Sequence, residues 1–189
     1  MHTSPQRSSG WLDLLREEAT AIENIESAFE RMETLVEDLL VVSREGWTVE
    51  TRQRVDGARL VADAWAAVAT AEATLECEWA GTVEADPDRL AQAFENLFRN
   101  AVDHAGPSVT VRVGPLDDTA GVYVADDGPG IPADERDTVF EMGASDDGGT
   151  GLGLAIVERV VTTHGWSISA GGSEGGGARF EIRFDGEPA

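Results

Sequence analysis

Lysine is absent from the chain: all 14 basic residues are arginine, set against 36 aspartates and glutamates, for a formal charge of -22. A surface of that sign repels phosphate backbones and anionic bilayers, which argues against nucleic-acid binding and against electrostatic attachment to a membrane. There is one cysteine, so no internal disulfide can form, and a reducing compartment is expected. Cys77, alternating with Glu76 and Glu78 in LECEW, reads as a buried strand residue. Neither a signal peptide nor an apolar run long enough to span a bilayer is seen, and the expectation is a cytoplasmic chain with no membrane segment.

What the 189 residues do contain suffices for one core and an appendage. MHTSPQRSSG is polar and turn-prone, and residues 1–11 are expected to be a disordered leader. From Leu12 to Arg44 the pattern changes: Ile22, Ile25, Phe29, Met32, Val36 and Leu39 recur at alternating spacings of three and four, with charged residues filling most positions between. Leu35 and Leu40 widen that stripe beyond a two-stranded seam. Residues 12–45 are therefore expected to form a long amphipathic helix that joins a homodimer or helical-bundle partner through 12–44; packing on its own domain is the alternative.

Gly46 breaks the helix, and a short strand follows in REGWTVETRQRVD. An Ala-rich helix over 56–69 begins at an Asp N-cap. ATLECEW and GTVEAD alternate as strands around a short turn. DPDRLAQAFENLFRNAVDHA is a strong helix, with Asp86 capping, Pro87 in the first turn, and Leu90, Phe94, Leu97, Phe98 and Ala101 as the buried face. SVTVRVG and AGVYVAD are clear strands, GLGLAIVERVVTTHG is a helix closed by Gly165, and WSISAGG and GARFEIRF form a terminal hairpin. The fold class this order implies is α/β, a two-layer sandwich with a mixed sheet packed on helices, preceded by the long helix.

Three features carry chemistry. Asn96 and Asn100 are four residues apart and share one helix face. Asp126 stands where an apolar strand runs into DDGPGIP, whose glycines let backbone approach a ligand. GGTGLGL, residues 148–154, puts free N–H groups at a helix start, where the dipole favours phosphate. An amide oxygen can join water and phosphate oxygens around Mg²⁺. Together they can cradle a nucleoside triphosphate.

In that order and spacing, ENLFRNA, DDGPGI and GTGLGL resemble the N, G1 and G2 boxes of the Bergerat-fold ATPases, specifically the catalytic domain of sensor histidine kinases, and DTVFE at 137–141 resembles their F box. The resemblance covers about residues 47–184, with 185–189 as a tail, and the preceding segment is similar to the second helix of the kinase dimerisation domain. It implies ATP and Mg²⁺ as cofactors and a response regulator receiver domain as partner. It makes Asp126 the acceptor for the adenine amino group, with Gly128 and Gly130 permitting close approach and Asp127 a solvated neighbour. Asn100 becomes the Mg²⁺ ligand, with Asn96 supporting metal or phosphates. Ile131, Gly149, Thr150, Gly151, Leu152 and Gly153 fall in the nucleotide-binding boxes, about 141–150 forms a lid, and His104 lies near the adenine. His164, before the helix-ending Gly165, reads as structural.

Two departures stand out. Asp103 occupies a position where many relatives carry Lys, and EMGASDDGG contains no basic residue, which leaves Arg99 as a nearby cation for phosphate. None of His2, His104 and His164 has the acidic-then-Pro context of the phosphoacceptor, so that histidine is expected from another chain or from sequence outside this one. Hydrolytic relatives place a general-base Glu where Asn96 stands, which argues against dedicated ATP hydrolysis; Glu95 points about a quarter-turn away. The alternative reading is a nucleotide-gated interaction module without phosphotransfer. In composition, the acidic, lysine-free chain resembles proteins of salt-accumulating halophilic archaea.

Overall fold

A computed structural model of the chain describes residues 52–68, 72–141 and 151–184. The chain divides into two units, Met1–Ser43 and Arg44–Ala189, and every described residue belongs to the second. The expected leader at 1–11, the amphipathic helix at 12–45, nearly all of the lid, and the tail at 185–189 lie outside the described residues.

Along the chain run β1 (Gln53–Asp56), α1 (Gly57–Ala67), β2 (Thr74–Cys77), β3 (Thr82–Ala85), α2 (Pro87–Ala105), β4 (Thr110–Pro115), β5 (Gly121–Asp126), α3 (Gly153–Thr163), β6 (Ser167–Gly172) and β7 (Ala178–Arg183). The main sheet has the order β2-β4-β5-β7-β6; β2 and β4 are parallel and the other neighbours antiparallel. Helix α2 packs against both α1 and α3 and touches β5, while α3 touches β6, so the helices form the second layer. This is the mixed two-layer α/β sandwich that the sequence implies. Its core is Phe94, Phe98, Leu90 and Leu97 from α2, Ile156 and Val157 from α3, and Val111, Val113, Val122 and Ile182 from the sheet.

The central helix forms for local reasons. The Asp86 carboxylate accepts the N–H groups of Asp88 and Arg89, both at 3.2 Å, and Pro87 begins the first turn. Such a cap stabilises by about 1 kcal/mol. Leu90, Ala93, Phe94, Leu97, Phe98 and Ala101 recur at the helical period and are all buried. Gly106, with φ at +95°, ends the helix in a conformation L side chains avoid. Asp56 caps α1 in the same way through the N–H of Arg59.

Two expectations are corrected. The strands of ATLECEW and GTVEAD do not pair with each other: β2 joins β4 in the main sheet, and β3 pairs with β1 in a separate two-stranded ribbon. The connection is diverted by Trp79, which turns inward, stacks on Phe94 at 5.9 Å, and fills the space over Gly57 and Gly81. Cys77 is exposed rather than buried. Alternation correctly marks a strand, but β2 is the sheet's edge, and the buried position of LECEW is Trp79.

His164 is 1% exposed and structural, as its place before Gly165 suggests. Its Nε2 accepts the backbone N–H of Asp86 at 3.0 Å, which leaves Nδ1 to donate to the carbonyl of Val160 at 2.7 Å. Arg52 donates to the His164 carbonyl at 2.8 Å. One imidazole thereby joins the end of α3 to the start of α2.

Candidate nucleotide site

Helix α2 supplies the amides. Asn96 is buried, and its Nδ2 donates to the carbonyl of Gln92 one turn earlier, at 2.9 Å. That bond fixes the flip of the amide and turns Oδ1 towards the start of α3. A Cβ added to Gly153 would sit 3.2 Å from Asn96 Oδ1. Two segments separated by more than fifty residues are thus in contact. Asn100 follows on the same face, half-buried, and among the described residues nothing hydrogen-bonds its amide.

The start of α3 suits an anion. Its N-cap position is Leu152, a side chain that cannot accept from the first turn, and that turn contains no acidic residue. Gly151 precedes it with φ at +64°, and Leu152 and Gly153 are half-buried. A helix start without a side-chain cap favours negative charge. Gly149 and Thr150 lie outside the described residues.

Asp126 ends β5 at 9% exposure, and its Oδ1 accepts two backbone N–H groups, from Gly128 at 2.9 Å and Ala178 at 3.0 Å. Both bonds among the described residues fall on Oδ1, so Oδ2 keeps its acceptor capacity for a ligand donor. Gly128 packs on Ala105, the last residue of α2. Gly130, with φ at +77°, lies where a Cβ would come 2.7 Å from the Gly176 carbonyl oxygen. Both glycines are required by close protein neighbours, whatever the ligand.

Asp127 is exposed but more than a solvated neighbour. Its carboxylate accepts the N–H of Thr110 at 2.9 Å, a bond that holds its carboxyl below the usual range and clips the end of β5 to the start of β4. His104 is exposed on the last turn of α2, beside Asp103; Arg99 and Glu95 are half-buried on the same helix. Ile131 is half-buried, and its carbonyl accepts from Arg136 Nε at 3.2 Å. Phe140 of DTVFE is buried edge-on against Phe180 of β7.

Sequence reasoning missed the β6–β7 turn. Ser173 Oγ donates to the Asp126 carbonyl at 2.7 Å, and Gly177 packs directly on Asp126. The glycine-rich GGSEGGG was the available signal, but it reads equally as a plain hairpin loop.

Among the described residues no group of three or more His, Cys, Asp or Glu could hold a metal ion by itself. The donor set here is amide oxygen, which suits Mg²⁺ only when phosphate and water complete the shell. A strand-tip carboxylate, two amides one turn apart and a helix start without a side-chain cap follow one another along α2.

Residues 85–188 match the family described as histidine kinase-, DNA gyrase B-, and HSP90-like ATPase. The chain is 39% identical over 176 residues to the "Probable sensor histidine kinase TcrY" of Mycobacterium tuberculosis, a match spanning 83% of this chain and 36% of that protein. The structure of the mycobacterial sensor histidine kinase MprB superposes with a TM-score of 0.63 at 28% identity, covering 72% of this chain and 100% of that one. Full-length ShkA in complex with AMPPNP gives a TM-score of 0.71 at 27% identity, over 92% of this chain and 40% of that one. The chain thus spans little more than a third of the curated relative's length.

Proposed function

Because the chain belongs to the histidine kinase-, DNA gyrase B-, and HSP90-like ATPase family, as the match over residues 85–188 shows, we propose that its ATP-binding catalytic domain transfers the γ-phosphate of ATP to a histidine of a two-component system. Asp126 reads the adenine amino group through Oδ2. The segment Gly151, Leu152 and Gly153 at the start of α3 meets the phosphates, and the sequence motif adds Gly149 and Thr150 to the nucleotide-binding set. Asn100 is the protein oxygen for Mg²⁺, Asn96 sets the distance between α2 and α3, and His104 and Ile131 border the base. The metal, when bound, neutralises phosphate charge as the transfer proceeds.

The observation that carries this reading is the approach of Asn96 Oδ1 to Gly153, which brings one of the two amides to the start of α3. Phosphoryl transfer asks the protein mainly for in-line placement and charge neutralisation. A histidine nitrogen attacks, the Pγ–N bond forms and the bond to ADP breaks. None of His2, His104 and His164 has an acceptor's context, so the acceptor comes from another polypeptide or from sequence outside these residues. A response regulator receiver domain would then take the phosphoryl group, and residues 12–44 would supply the helical contact to a second copy. The charge of -22 without lysine supports a salt-rich cytoplasm of the haloarchaeal kind.

The test incubates the chain with γ-labelled ATP and Mg²⁺ in high potassium chloride, with and without a histidine-bearing helix from a related kinase. Acid-labile, alkali-stable label on that helix is expected. Tight ATP binding with no label on any supplied helix would contradict the transferase reading.

A further inference from the structure

We infer that Ser173 is a positioning residue for the base-reading carboxylate, and that through it the β6–β7 turn sets the preference for adenine over guanine nucleotides. The inference rests on the nucleotide reading of the Asp126 site.

One hydroxyl makes two bonds. Ser173 Oγ donates to the backbone carbonyl of Asp126 at 2.7 Å and accepts the N–H of Gly177 at 3.0 Å. The Ser173 N–H also donates to the Gly177 carbonyl at 2.8 Å, closing the turn. The next residue, Ala178, delivers its N–H to Asp126 Oδ1 at 3.0 Å. Ser173 therefore holds the residue that reads the base and the backbone that orients it. Gly177 leaves no room for slack: any Cβ there would collide with the carbonyl and carboxylate oxygens of Asp126.

Orientation decides chemistry at this position. With Oδ1 occupied by two N–H donors, a ligand meets Oδ2 in one place and with one character, an acceptor. An adenine amino group donates to it, whereas the O6 of guanine sets acceptor against acceptor. A site built around a buried hydrogen bond rejects the ligand that leaves it unpaired. If the turn loosens, the Ala178 N–H withdraws and the carboxylate rotates. It can then accept from the ring N–H of guanine, and discrimination falls.

The experiment titrates the intact chain with MgATP and with MgGTP, in wild type, Ser173→Ala, Ser173→Thr and Asp126→Asn. Ser173→Ala is expected to lower the ratio of ATP to GTP affinity about tenfold, and Ser173→Thr, which retains the hydroxyl, to restore it to within about twofold. Equal weakening of both nucleotides, the signature of a general loosening, overturns the inference, as does an unchanged ratio. Should Ser173→Ala fail to fold, Ser173→Cys keeps the side chain's shape with a slightly larger atom and a weaker donor, and a ratio unmoved there also overturns it. ATP affinity that responds to Asp126→Asn but not to Ser173 removes this inference alone. ATP affinity indifferent to Asp126→Asn removes the site reading and the inference with it.

Discussion

The Nε2 of His164 accepts the backbone N–H of Asp86 at 3.0 Å, across 78 residues of chain, so the end of α3 and the N-cap of α2 share one imidazole. The bond needs the Nε2 lone pair, and a second proton on the ring would remove it. Burial is the main cause holding the His164 pKa below its ordinary value, partly offset by the bond to Val160.

Stability should therefore be full above the unfolded-state pKa of about 6.5 and fall as pH drops below it towards the lower folded-state value, because the unfolded chain binds the proton first. The slope contributed by one such group approaches about 1.4 kcal/mol per pH unit. Urea melts at pH 8, 6.5 and 5.5 check this: the difference between wild type and His164→Gln should shrink on acidification. A difference independent of pH would mean that His164 does not titrate in this window. Asp127 and Glu181, both depressed by hydrogen bonds, lose their contributions only in the carboxylate range below it.

Gly153→Ala should disturb the site and spare the fold. The new Cβ would press on Asn96 Oδ1 at 3.2 Å, a contact the amide must yield to by a few tenths of an ångström. Magnesium-nucleotide affinity should fall several-fold, while thermal stability changes little. Equal loss in both would show that Asn96 serves packing instead of the ligand.

Asn100→Ala removes the amide to which no hydrogen bond is made among the described residues. Its loss should cost little stability but abolish the tightening of ATP binding by Mg²⁺, read from titrations with and without the metal. A wild-type difference between the two titrations would assign the metal elsewhere.

Trp79→Ala should be among the most damaging substitutions. The ring is 4% exposed, contacts Phe94 and Phe184, and lies so close to Gly57 that a Cβ there would be 2.7 Å away. Aromatic-to-alanine changes in a core typically lose about 3–5 kcal/mol. Chemical denaturation measures it directly.

Local signals were legible in the sequence and long-range ones were not. The cap at Asp86, the buried stripe of α2 and the helix end at Gly165 follow from residues within a turn or two of each other, and the structure has them all. Trp79 was not legible as the wedge between β2 and β3, because the glycines that accommodate it matter only once α1 has folded beside it. Cys77 misled because alternation gives a face without saying whether that face is covered at a sheet edge. In the site, Asp126 was visible as a carboxylate at a strand tip. Its supports were not: Ser173 and Ala178 reach it from 47 and 52 residues away, and nothing local distinguishes their turn from a simple hairpin.

If Asp126 reads the base of a nucleotide, its amide variant must lose that nucleotide. Calorimetric titration of wild type and Asp126→Asn with MgATP in high potassium chloride tests it most directly. The amide can keep its oxygen towards the Gly128 and Ala178 N–H groups, which turns its NH₂ towards the ligand's own donor, and affinity is predicted to fall about a hundredfold or more. Unchanged ATP affinity in Asp126→Asn would mean that Asp126 does not read the base.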